Sequence, residues 1–109
     1  MLIEMNSFES EATADEINSR REKISHRLSR FENHLTRVVA YFEDTNGPTR
    51  QGIDKRCKLE ARLKSQSTPV VASADGVSEE RALHDAAEKL VALLTRIVDQ
   101  LKEHRQNVI

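Results

Sequence analysis

Hydrophobic and polar positions alternate at the start of the chain. Met1, Ile3 and Met5 fall on one side, Leu2, Glu4 and Asn6 on the other, which predicts a short strand over Met1 to Phe8. The period then changes. Thr13 followed by Glu16 has the form of a capping box, and Ile17, Ile24, Leu28, Phe31 and Leu35 recur at helical spacing. They predict one helix of roughly twenty residues. Arg37 to Glu43 is rich in valine and aromatic residues and reads as a strand, with Val38, Ala40 and Phe42 inward and Val39, Tyr41 and Glu43 outward. Asn46, Gly47, Pro48 and Gly52 mark Asp44 to Gly52 as a connection.

The cleanest alternation follows. Cys57, Leu59, Ala61 and Leu63 interleave with Arg56, Lys58, Glu60, Arg62 and Lys64, as in a strand with one buried and one charged face. Ser65 to Thr68 turns the chain into a fourth strand over Pro69 to Ala74, which Asp75 and Gly76 are expected to break. Ser78 then caps a second helix with Glu79 and Glu80 in its first turn and an apolar stripe of Leu83, Ala86, Leu90, Leu93, Leu94, Ile97 and Leu101. The tail after His104 is expected to fray. The order β-α-β-β-β-α opens with a parallel, right-handed crossover and continues through hairpins. The predicted class is α+β: one two-layer domain over residues 1–109, a four-stranded sheet with two helices packed on one face.

Composition narrows the functional classes. At 109 residues, with 38% hydrophobic and 32% charged positions, the chain suits one modest core and contains no apolar run long enough for a membrane span. The N-terminus shows no signal-peptide pattern, so the expected location is the cytoplasm. Cys57 is the single cysteine, which excludes an internal disulfide and a cysteine-built zinc cage. His26, His34, His84 and His104 include no HExxH pair, and no metal or cofactor is predicted. Gly47, Gly52 and Gly76 are isolated and form no phosphate-binding loop. Cys57 faces inward, no carboxylate pair stands out, and no catalytic residue is assigned; the chain reads as a non-enzyme.

Charge matters here by its placement. Seventeen Lys and Arg against eighteen Asp and Glu leave a formal net charge of −1. Around the first helix, however, Arg20, Lys23, Arg27 and Arg30 share one flank with His34, while Glu22, Ser25, Ser29 and Glu32 share the other. Lys89 and Arg96 share a flank of the second helix, and Arg56 and Lys58 lie on the exposed face of the third strand. Any one of these cations is ordinary solvated surface. Lys102 and Arg105 suit the C-terminal end of a helix without a ligand.

With these features in place, the chain resembles the bacterial ribosome hibernation promoting factor and ribosome-associated inhibitor family, also called sigma-54 modulation proteins, in its short form. Ala72-Ser73-Ala74-Asp75-Gly76 resembles that family's strand-to-helix junction and Glu88-Lys89-Leu90 its acidic-Lys-Leu motif. Phe31, Leu35 and Val38 resemble the end of the first helix and entry to the second strand, and Asp54-Lys55-Arg56-Cys57 a short subgroup. The resemblance implies binding to the small ribosomal subunit and its RNA, with basic helix residues toward the RNA and translation blocked where messenger and transfer RNA would sit. Arg27, Lys89 and Arg96 match basic positions of the family; Ala92, Glu79 and Glu80 depart from it.

The expected RNA-binding set is Arg20, Lys23, Arg27, Arg30, Arg56, Lys58, Lys89 and Arg96, on a protein monomeric when free and without DNA or membrane partners. The alternative is a protein-interaction module that homodimerises through an exposed face bearing Val39 and Tyr41.

Overall fold

In the computed structural model of the protein, the residues described are 1–7, 12–44 and 55–107, without the side chains of 7 and 103–107. Their order is β1 (Leu2–Ser7), α1 (Ala14–Arg27), a 3-10 turn η1 (Ser29–Phe31), β2 (Leu35–Asp44), β3 (Lys55–Leu63), β4 (Val70–Gly76) and α2 (Glu79–Asn107). The strands form one sheet in the order β1-β2-β3-β4. β1 runs parallel to β2, and β2, β3 and β4 pair antiparallel. The expected α+β architecture is therefore present. Phe8, Asp54 and most of the Asp44 to Gly52 connection lie outside the described residues, as do the side chains of His104 and Arg105.

Both helices start where capping chemistry places them. Thr13 Oγ1 accepts from the Glu16 amide at 3.2 Å, and its hydroxyl donates to Glu16 Oε1 at 3.3 Å. Ser78 Oγ accepts from the Arg81 amide at 3.1 Å. The first helix is shorter than the apolar spacing predicts. It ends at Arg27, its C-cap Leu28 leaves helical geometry, η1 follows, and Leu35 already belongs to β2. Leu28, Phe31 and Leu35 are nonetheless all buried, because the turn keeps curling over the same core. Arg30 and His34 thus leave the helical flank.

The core lies between the sheet and the helices. Val38, Ala40, Phe42, Cys57, Leu59, Ala61, Leu63, Val70, Ala72 and Ala74 supply its sheet side, and Ile24 and Leu28 come from α1 and its cap. From α2 come Ala82, Leu83, Ala86, Ala87, Leu90, Leu94 and Val98. The buried stripe of α2 thus runs through Ala87 and Val98, with Leu93 and Ile97 only partly covered at its margin. Fully covered leucines such as Leu59 and Leu90 each contribute about 1.5–3 kcal/mol relative to exposure.

Two details correct the expected sheet. β4 continues through Asp75 and Gly76, because Gly76 allows the strand to pass directly beneath the first turn of α2. A Cβ there would lie 2.8 Å from the Ala82 nitrogen. Val39 does point to the outer face, but only 7% of it is exposed. It stands between Glu4 of β1 and Glu60 of β3. Tyr41, expected to be open, is half-buried, with Lys58 Nζ 5.1 Å from its ring centre.

Candidate functional site

The first group of predicted cations lines a groove between the helices. Ile24, Leu83 and Ala87 form its apolar floor, with Lys23 and Arg27 on the α1 wall and Glu80 and Glu88 on the α2 wall; it holds about 610 Å³. Lys23 Nζ donates to Glu80 Oε1 at 2.7 Å. Arg27 makes a two-pronged contact with Glu88, Nε to Oε1 at 2.6 Å and Nη2 to Oε2 at 2.7 Å. Hydrogen bonds accepted from these cations hold the Glu80 and Glu88 carboxyls below the usual carboxylate range, and donating to Glu88 raises the Arg27 guanidinium above its ordinary value.

Arg20 is nearer the core. Its side chain is only 12% exposed, lies over the Phe42 ring, and pairs with Glu16 at 3.6 Å and Glu79 at 3.7 Å. The remaining member of the expected flank, Arg30, projects from η1 under the far half of α2. There it donates to Thr95 Oγ1 and stacks on Phe31 with its guanidinium 4.6 Å from the ring centre. The single basic flank drawn on a helical wheel is therefore a row of three residues, each tied to a carboxylate of α2, and a fourth on a different element.

Lys89 and Arg96 occupy the other side of α2. With Val71, Ala72, Ser73, Ala92 and Leu93 they line a shallow groove along β4, the last strand of the sheet. Lys89 Nζ donates to the Ser73 carbonyl at 3.1 Å. Arg96 is exposed and makes no ion pair among the described residues.

Arg56 and Lys58 sit on the outer sheet face. Arg56 bridges Asp75 at 2.8 Å and Glu43 at 3.5 Å, which raises its guanidinium above the ordinary value, chiefly through the hydrogen bond to Asp75. Arg37 to Glu4 at 2.5 Å and Arg62 to Glu60 at 3.4 Å continue the ladder of pairs across this face. The eight predicted residues thus fall on three surfaces, with Arg30 apart, and form no continuous patch. What the sequence reasoning missed is the acidic wall of the groove. Glu80, His84 and Glu88 recur every four residues, a spacing that was available as a signal.

Among the described residues, no group of three or more His, Cys, Asp or Glu side chains is placed to hold a metal ion, and no helix is long and apolar enough to cross a membrane. Cys57 is buried, and burial pushes its thiol up to about 12, with the nearby charge of Glu79 adding to the shift.

The fold as a whole has close counterparts. A ribosomal subunit interface protein from Coxiella burnetii overlays with a TM-score of 0.71, covering 91% of this chain and 99% of its own at 15% identity. The N-terminal domain of Protein Y from Thermus thermophilus overlays at 0.68, covering 89% and 99% at 17% identity. The chain has the fold of these proteins. That likeness is one of fold, and it agrees with the family resemblance carried by the junction at Ala72 to Gly76 and the Glu88-Lys89-Leu90 motif. No protein-family model matches the chain, and no curated protein sequence does.

Proposed function

We propose that the chain is a ribosome-associated factor of the cytoplasm. As a single unit it binds the small subunit and its ribosomal RNA, occupies the channel for messenger and transfer RNA, and so inhibits translation. The observation that carries this reading is the near-complete overlay on a ribosomal subunit interface protein. The cations best available for phosphate are Arg96, which no carboxylate holds among the described residues, and Lys89, whose partner is only a backbone carbonyl. Both lie on one flank of α2. Lys58 is exposed on the sheet face, whereas Lys23 and Arg27 are paired with Glu80 and Glu88.

Such contacts are electrostatic and directed by RNA shape, so affinity falls as salt rises and counterion release is lost. The test is sedimentation of the protein with bacterial small subunits and whole ribosomes at low and moderate salt. Stoichiometric binding at low salt, weakened at moderate salt and by Lys89→Gln with Arg96→Gln, is the expected result. Absence of binding at low salt overturns the proposal.

A further inference from the structure

We infer that Glu80 and Glu88 are internal competitors for the basic wall of the interhelical groove, so that Lys23 and Arg27 open to an RNA backbone that displaces both carboxylates together and stay closed to an isolated anion. The inference deepens the ribosome reading and rests on it for the identity of the ligand. Its basis is the pairing geometry. Glu88 engages Arg27 through two parallel bonds at 2.6 and 2.7 Å, the two-pronged arrangement by which a guanidinium also grips phosphate. A phosphate therefore replaces Glu88 on that edge and does not add beside it. Lys23 is held by Glu80 through a single bond at 2.7 Å, so a phosphate that reaches this ammonium meets a carboxylate already in place.

The exchange is feasible because both pairs are open to water. The Lys23 and Glu80 side chains are 60% and 62% exposed, and those of Arg27 and Glu88 are 44% and 45% exposed. Pairs this exposed hold weakly, since solvent screens them. They nevertheless differ from a free competitor in being tethered: each carboxylate is presented at a high local concentration by α2. A lone phosphate meets that tethered competitor at each cation separately. A polymer that places neighbouring phosphates against both cations gains the same advantage of tethering once its first contact is made. Lys23 and Arg27 are one helical turn apart, about 6 Å along the axis, so one strand of backbone reaches both. Glu80 and Glu88 would then turn to water, which their exposure allows.

The experiment compares the wild-type protein with E80Q/E88Q and with the charge-matched control D15N/E32Q, whose carboxylates are exposed and hold no cation among the described residues. Each is titrated against small subunits at moderate salt, and separately against a short RNA duplex and against inorganic phosphate. Relative to the control, E80Q/E88Q is expected to bind the subunit and the duplex roughly threefold to tenfold more tightly. Inorganic phosphate should leave the wild-type Lys23 and Arg27 resonances unmoved and shift them in E80Q/E88Q. A misfolded variant does not mimic a gain in affinity.

Equal affinities for E80Q/E88Q and the control overturn the inference, and so does weaker binding, which would mean that the glutamates hold the cations ready for RNA. If wild type binds no subunit even at low salt, the ribosome reading fails. The duplex and phosphate titrations then decide the competitor role alone: a gain in E80Q/E88Q supports it, and no gain overturns it.

Discussion

Replacing Gly76 with alanine tests the close approach of β4 to the first turn of α2. The added Cβ would lie 2.8 Å from the Ala82 nitrogen, 3.2 Å from the Ala82 Cα and 3.3 Å from the Arg81 carbonyl carbon. The first of these is about 0.6 Å short of the 3.4 Å at which ordinary contact begins. All three atoms are backbone in the first turn of α2, so no rotamer change relieves the clash. Either β4 or the start of α2 must move, and both are anchored in the core through Ala74, Ala82 and Leu83. Overpacking of this kind costs about 1–3 kcal/mol. Against it stands the smaller conformational freedom of alanine in the unfolded chain, about 0.4–1 kcal/mol. The net expectation is a loss of about 1–2 kcal/mol, or a fall in melting temperature of about 5–10 °C for a domain near this size.

Urea unfolding followed by far-UV circular dichroism measures the loss directly, as a lower midpoint at unchanged slope. A second variant sharpens the result. G76A/A82G should be no more stable than G76A, because the contact is with the backbone at position 82 and trimming its methyl relieves nothing. A G76A midpoint at or above that of wild type, or rescue by the second change, refutes the argument.

Two further outcomes follow from the ionisable groups. With its thiol pushed up to about 12 and its side chain covered, Cys57 carries almost no thiolate at pH 8. A chromogenic disulfide reagent should therefore label it promptly only after unfolding in denaturant, and prompt labelling of the native protein would contradict the buried placement. Glu80 and Glu88 have carboxyls depressed in the folded state by their bonds to Lys23 and Arg27, so their contribution is present above the unfolded carboxylate range, near 4.3, and is lost as pH falls through the lower folded values. The melting-temperature gap between wild type and E80Q/E88Q should accordingly narrow as pH falls from about 5 toward 3; a gap independent of pH would show that the pairs contribute nothing through ionisation.

Most of the framework was legible because each strand carries its own signature. β3 was plain from Cys57, Leu59, Ala61 and Leu63, all buried as alternation requires. The failures have a common form: they concern what one element does to another. Phe31 and Leu35 kept helical spacing although the helix had ended, because spacing records direction toward the core and not the hydrogen bonds that carry the chain there. Val39 was assigned to the correct face, but alternation does not reveal that neighbours on β1 and β3 close over it. The candidate site suffered most. Arg27 and Glu88 are 61 residues apart and Lys23 and Glu80 are 57 apart, so no local pattern links them. A wheel drawn for α1 alone showed a basic flank, while of the acidic row of α2 that faces it Glu80 was read as a favourable helix start and Glu88 as part of a family motif.

The hydrogen bond from Lys89 to the Ser73 carbonyl has a bearing on how the protein behaves at high concentration. β4 is the last strand of the sheet with no partner on its outer side among the described residues, and an edge strand invites pairing with the backbone of another molecule, the first step of edge-to-edge aggregation. A lysine folded over one of its carbonyls blocks that step with a charge that an incoming strand would have to dislodge. The proposed binding to ribosomal RNA asks the same lysine to meet a phosphate. Any partner that draws Lys89 away exposes the edge while it is bound, so shielding against self-association and binding of an anion compete for a single side chain.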